Sequence, residues 1–179
     1  MNTIGATYLD SVIKRFLTYK TLGDMTFAQL EEKDFYVTPS EESNSIAVII
    51  QHLHGNMLSR WTNFLTEDGE KPGRNRDEEF SPPDASMQEL IAQWEKGWRC
   101  LIDTLRSLKE EDLLKTITIR HEPLIVIDAI NRQLAHYPHH VGQIIYLGKM
   151  IRDQNWRSLS IARGASHAFN SDMEKRHKQ

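Results

Sequence analysis

Apolar residues recur at helical spacing in four stretches of this chain, separated by polar and proline-bearing connections. From about Ile4 to Met25, Tyr8, Val12 and Phe16 stand four residues apart, with Leu9, Ile13 and Leu17 beside them. That is the stripe of an amphipathic helix. Thr26 followed by Gln29 resembles a capping box and predicts a short helix through Leu30. After the polar stretch Thr38 to Asn44, a second helix is expected from about Ser45 to Leu65. Its broad apolar face carries Ile46, Ile50, Leu53, Met57, Trp61 and Phe64. Glu67-Asp68-Gly69 ends it, and Pro72, Gly73, Pro82 and Pro83 punctuate a long loop. Loops of that length in a compact domain are usually functional or mobile.

Asp84 or Ser86 is placed to cap a third helix, whose stripe runs from Met87, Leu90 and Ile91 through Trp94 and Trp98 to Leu105. Thr116-Ile117-Thr118-Ile119 alternates as a β-type segment, which predicts an extended connection or a small hairpin. A fourth helix is expected from about Ile125 to Arg152. It is apolar on two sides, one with Ile130, Leu134, Val141, Ile145 and Gly148, the other with Ala129, Leu147 and Ile151. A helix of that kind lies centrally or contributes to a subunit interface, so a homodimer is expected. Pro138 falls inside it, removes one backbone bond and predicts a bend. Beyond Asn155 comes a polar tail with isolated apolar positions (Trp156, Leu159, Ile161, Phe169), which either packs over the bundle or stays mobile. Four helices without a convincing sheet predict an all-α fold, a four-helix bundle. The 179 residues are read as a single domain, with the bundle over about 4–152 and the tail over about 153–179.

Composition narrows the function classes. Hydrophobic residues at 39% and charged residues at 26% place the chain among ordinary globular proteins. A net charge of -3, with basic residues dispersed among acids, provides no basic stripe, so nucleic acid is not an expected partner. The basic tail Lys175-Arg176-His177-Lys178 reads as solvated. Cys100 is the single cysteine, which excludes an internal disulfide and a cysteine-based zinc cluster and fits a reducing cytoplasm. It reads as a small buried hydrophobe. Asp10 interrupts any leader-like apolar stretch, and no apolar run approaches a membrane span. A cytoplasmic protein without a membrane partner is therefore expected.

The candidate chemistry lies in the histidines. There are eight, and five fall in two groups, His52 and His54 in the second helix and His136, His139 and His140 in the fourth. His136 and His140 stand four apart and project from one helix face, a spacing that suits two ligands on one metal ion. A third histidine from a neighbouring helix would complete the set. Neutral imidazole suits zinc, nickel, copper or iron alike. On a helical wheel His54 falls near the centre of the second helix's apolar face, with Ile50, Met57 and Trp61, so periodicity favours His54 as the inward histidine. His139 points about a quarter-turn away from its neighbours and reads as a surface residue. Asn56 and Gln143 are placed to orient a ligand or hold water, although surface solvation explains each as well. No carboxylate falls beside the histidines in either motif. Glu95, Asp103 and Asp128 lie on helices, but nothing in the sequence brings them to the site.

Two segments resemble the motifs of the DinB-like (YfiT-like) family. Leu134-Ala135-His136-Tyr137-Pro138-His139-His140-Val141-Gly142-Gln143-Ile144 is similar to its closing motif, and Ser45-Ile46 with His52 is similar to its second-helix motif. The similarity covers about Ile4 to Arg152. Asn56 to Trp61 and Trp156 to Ile161 further resemble an uncharacterised Bacillus-type branch. The resemblance implies a four-helix bundle with a divalent metal, zinc or nickel, on His52, His136 and His140, and His54 as the fallback ligand. It departs from the family pattern at Val141, where a basic residue is usual.

Three neutral histidines would leave the ion its full charge and an open position, the mark of a catalytic site. Such an ion lowers the pKa of water or of a thiol. The resemblance implies a low-molecular-weight-thiol S-transferase first and a metal-dependent hydrolase second, with a small thiol or other small molecule as substrate. The alternatives are a non-catalytic metal-binding stress protein and a plain bundle with packed histidines. The catalytic residues are unassigned.

Overall fold

A computed structural model describes residues 3–178. The chain is mostly helical, with α1 over Ile4–Phe27, α2 over Ile46–Trp61, α3 over Met87–Ser107, α4 over Val126–Arg152 and α5 over Ser166–His177. The only sheet among the described residues is a two-stranded hairpin, β1 over Thr116–Ile119 and β2 over Glu122–Ile125, paired Thr116 to Ile125 and Ile119 to Glu122. The all-α expectation and the hairpin both hold. Among the described residues no helix is long and apolar enough to cross a membrane.

Three helix starts have a side-chain cap. The Thr3 side chain accepts from Ala6 N–H before α1, and Ser45 accepts from Val48 N–H before α2. Ser86, rather than Asp84, caps α3, and Glu89 returns a bond to the Ser86 backbone to complete a capping box. Glu122 and Pro123 in β2 are exposed, so that strand has no buried alternation to read. The predicted short helix after Thr26 is not separate, because α1 runs on to Phe27. Gln29 instead bonds both ways to the backbone of Arg157 and ties the segment after α4 to the end of α1.

α2 packs along α3 and α1 along α4, while α1 also meets α3 and α2 meets α4, which closes a four-helix ring. Phe16, Trp94, Trp98, Trp61 and Tyr137 fill its interior and are essentially inaccessible. Phe16 stands 6.4 Å from Trp98 and 5.9 Å from Tyr137 between ring centroids. Gly23 permits the closest approach of α1 to α3, since a Cβ there would lie 2.4 Å from the Trp94 ring. α4 continues through Pro138, which leaves the Leu134 carbonyl without its usual helical donor. The tail is part helix, but α5 buries none of its residues, while Trp156 lies against α4 beside Gly148.

The long loop between α2 and α3 is fastened at both ends. Ser59 Oγ donates to the Gly69 carbonyl at 2.8 Å, and Gly69 N–H donates to the Thr118 carbonyl at 2.8 Å. Arg120 and His121 form the two-residue turn of the hairpin, both at positive φ (56° and 63°). Asp68 accepts both of their backbone N–H groups, at 2.8 and 2.9 Å, and so stabilises a turn that neither side chain favours. Desolvation opposes the charge on Asp68, but the backbone donors outweigh it and hold the carboxyl below its ordinary range. Further along, Gln51 on α2 donates to the Glu78 and Glu79 carbonyls and seats the 3-10 turn Glu78–Phe80 on the helix.

Candidate metal centre

α2 and α4 face each other where His52 is followed one turn later by Asn56, and where His136 and His140 bracket Pro138. The Tyr137 hydroxyl, fully buried, donates to Asn56 Oδ1 at 3.0 Å and accepts from Trp61 Nε1 at 2.9 Å. This pair of bonds locks α4 against α2 directly beneath the histidines. Asn56 thus serves the packing of the two helices and, among the described residues, makes no hydrogen bond to an imidazole.

The three imidazoles converge. His52 Nε2 lies 3.3 Å from His136 Nε2, and His140 Nε2 lies 3.1 Å from His136 Nε2. One nitrogen from each of the three lies within 4.8 Å of the others. Each opposite nitrogen meets a side-chain oxygen: His52 Nδ1 to Glu79 Oε2 at 2.9 Å, His136 Nδ1 to Gln133 Oε1 at 3.2 Å, and His140 Nδ1 to Gln143 Oε1 at 2.7 Å. A neutral imidazole that donates through Nδ1 keeps a lone pair on Nε2. In the tautomers that donate through Nδ1, three lone pairs face one another, an arrangement that a cation among them would relieve. Nitrogens each about 2.0–2.1 Å from a tetrahedral zinc ion stand roughly 3.3 Å apart. The separations of 3.1 and 3.3 Å fit, so the cluster can hold a metal ion.

The electrostatics keep His136 and His140 neutral. Burial, then the neighbouring His140 and His52, pushes His136 down to about 3. Burial, reinforced by His52 and His139 against the Gln143 bond, pushes His140 down to about 4.

Glu79 is the residue that sequence reasoning missed. It sits in the 3-10 turn of the long loop, buried, 27 residues beyond His52. Arg74 binds it through Nε to Oε1 at 2.6 Å and Nη2 to Oε2 at 2.8 Å. Desolvation works against its charge, but the bonds from Arg74 and His52 outweigh it and hold the carboxyl below the ordinary range. Gly55, a turn from His52, makes room for it, since a Cβ there would lie 2.3 Å from Glu79 Oε1. A loop already marked as functional by its length, with two adjacent acids, was the available signal. Gln133 was missed too, although it precedes His136 by three residues as Gln143 follows His140 by three.

His54 is not at the cluster. Its Cα passes close to Gly97, its side chain lines a separate cleft with Gln93 and Lys96 of α3, and its Nε2 is buried without a hydrogen-bond partner among the described residues. Burial lowers its pKa. His139 is exposed. Val141, where the family resemblance expects a base, is fully buried in the core. Glu95 pairs with Lys20 at 2.6 Å, away from the site. Burial raises the Cys100 thiol, whose contact is Thr62, so it is no activated nucleophile.

The sequence profile of a family described as "Protein of unknown function (DUF1572)" matches residues 3–165. No curated protein matches the chain.

Proposed function

The chain belongs to the DUF1572 family, whose description assigns no activity, and from that premise we propose that it is a metal-dependent enzyme built on His52, His136 and His140. The observation that carries this reading is the convergence of three Nε2 lone pairs whose Nδ1 partners are already fixed. A zinc or nickel ion held there would supply Lewis acidity and lower the pKa of a small molecule's thiol or of water. Glu79 fixes the tautomer of His52 and raises its basicity as a ligand. Gln133 and Gln143 orient the other two rings. The Tyr137–Asn56–Trp61 bonds hold the helices at the spacing the ligands need.

Between the two chemistries we favour thiol S-transfer over hydrolysis. Glu79 is the carboxylate on the cluster, and it is engaged by Arg74 and His52, so no free general base stands ready to activate water. The resemblance of the histidine motifs to DinB-like proteins supports the same order. A non-catalytic, metal-storing role fits less well with histidines that open onto a cleft. Exposed Tyr146 and Met150 on α4 support a homodimer in one cytoplasmic domain, and a monomer mass by light scattering at micromolar concentration would remove that part.

Elemental analysis of protein purified without a histidine tag is the direct test. About one zinc or nickel per chain is expected in the wild type, and His136→Ala should lose it. Wild-type protein that takes up neither ion after incubation with both would refute the metal centre.

A further inference from the structure

The cleft that opens onto the three histidines has a volume of about 330 Å³, and its walls carry Arg60, Arg74, Arg76, Arg120 and Arg132. No carboxylate is among its lining residues. In a chain of net charge -3 this is a concentration of one sign. Two of these arginines are committed inside the protein. Arg74 holds Glu79 and also reaches Glu70 at 3.3 Å, while Arg60 holds Glu70 at 3.0 Å and the Gly69 carbonyl.

The other three keep donors free for a ligand. Arg120 spends its Nε on Glu70 at 3.0 Å, and its terminal nitrogens donate no hydrogen bond among the described residues. Arg76 and Arg132 likewise donate none among the described residues. The acids nearest to them, Asp77 and Glu122, stand at 3.9 Å and are 97% and 66% exposed, a combination that holds neither guanidinium in place. Arg76 lies over the Phe80 ring at 5.0 Å, and Phe80 stacks on the His52 ring at 4.7 Å. One free guanidinium is thus a single aromatic ring away from a ligand histidine.

A guanidinium presents paired N–H donors that match the two oxygens of a carboxylate or phosphate. Walls of low dielectric focus the field of such groups into the cleft. We propose that Arg76, Arg120 and Arg132 form an oxyanion subsite, so that the substrate of the neighbouring histidine centre carries a carboxylate or phosphate group. The subsite stands on the arginines alone, and only its role beside a reacting atom rests on the metal-centre reading. A neutral apolar substrate would cover three charged groups without pairing them, which is costly.

Calorimetric titration of metal-free protein at low ionic strength, with inorganic phosphate and with succinate as separate probes, tests it. Both arginines of the double variant Arg76→Gln/Arg132→Gln are about half exposed, so it keeps the fold, which circular dichroism verifies. Saturable binding of at least one probe by the wild type is expected, weakened about tenfold or more in the double variant. Added salt should weaken it as well. Arg163→Gln, exposed in the tail, should bind as the wild type does. The better probe names the source as carboxylate or phosphate. No saturable binding by the wild type, or equal binding by the double variant, overturns the subsite. Zinc uptake is measured on a separate portion of the same preparation after incubation with the ion. Anion binding by a wild type that takes up no zinc would uphold the subsite and remove the metal centre instead.

Discussion

Replacing Glu79 with alanine would remove three charge-assisted hydrogen bonds at once, from His52 Nδ1 at 2.9 Å and from Arg74 at 2.6 and 2.8 Å. The side chain of Arg74 is 5% exposed, so its guanidinium would be left buried with Glu70 alone, at 3.3 Å, to answer it. Breaking a buried pair from one side typically costs about 3–5 kcal/mol. Arg74 lines the cleft and keeps Glu70 as a partner, which puts the expected loss near the lower end, about 3 kcal/mol. The effect on metal is separate. Without its carboxylate the His52 ring loses its fixed orientation, and loss of such a partner typically lowers metal affinity about 10–100-fold. Glu79→Gln keeps one oxygen for His52 but turns an amide N–H₂ toward Arg74, so it should recover part of the affinity and little of the stability. Urea unfolding of metal-free protein reads the first quantity, and zinc competition against a chromophoric chelator reads the second. A folded Glu79→Ala protein that binds zinc as tightly as the wild type would refute the assigned role of Glu79.

Two further outcomes follow from groups around the same centre. In the metal-free protein His136 and His140 hold pKa values of about 3 and about 4, against an ordinary 6.5. The unfolded chain therefore takes up protons first, and stability falls as pH drops from about 6.5 toward 4, with no contribution from these groups above that window. Urea midpoints from about pH 7 to about pH 5 should decline and flatten in His136→Gln/His140→Gln; a level wild-type profile would contradict the burial of these rings. Tyr137→Phe leaves Trp61 Nε1 and Asn56 Oδ1 unpaired in the core and should cost about 1–3 kcal/mol in the same assay. An unfolding free energy equal to that of the wild type would mean that these bonds do not lock α4 to α2.

The helices were legible because burial imposes a period. Trp94, Trp98, Leu101 and Leu105 lie on one stripe of α3 and all are buried. Helix ends were less legible. Phe64 continues the stripe of α2 and is buried, yet α2 stops at Trp61, where Thr62 turns extended and Asn63 takes a positive φ of 50°. The same periodicity misdirected the choice of histidine. His54 shares its face with Met57 and Trp61, and that face meets α3 near Gly97. His52 lies at the edge of the stripe, where α2 meets α4 and the loop, and it was reached through the motif resemblance rather than through the pattern. Glu79, Arg74 and Arg76 follow no period at all. They are brought in by a loop whose path depends on Asp68, Gly69 and the hairpin turn, contacts between segments about 50 residues apart that local pattern does not encode.

That loop has a consequence for how this molecule can change. The imidazoles sit on α2 and α4, which the aromatic interior holds rigidly, whereas Arg74, Arg76, Glu79 and Phe80 arrive on a separate strap fixed at a few points. On the proposed reading the strap carries only the Arg76 part of the subsite, because Arg120 comes from the hairpin turn and Arg132 from α4 itself. Lengthening or exchanging the outer part of the strap, around Arg76, would alter what is admitted without disturbing what reacts, provided that Arg74 and Glu79 remain. A swap of the strap between diverged members should therefore transplant the share of substrate preference that Arg76 sets, and leave that of Arg120 and Arg132 with the recipient. Exchanging α4 in the same way would replace Arg132, two imidazoles and Tyr137 together, so there binding and ligation cannot be varied apart.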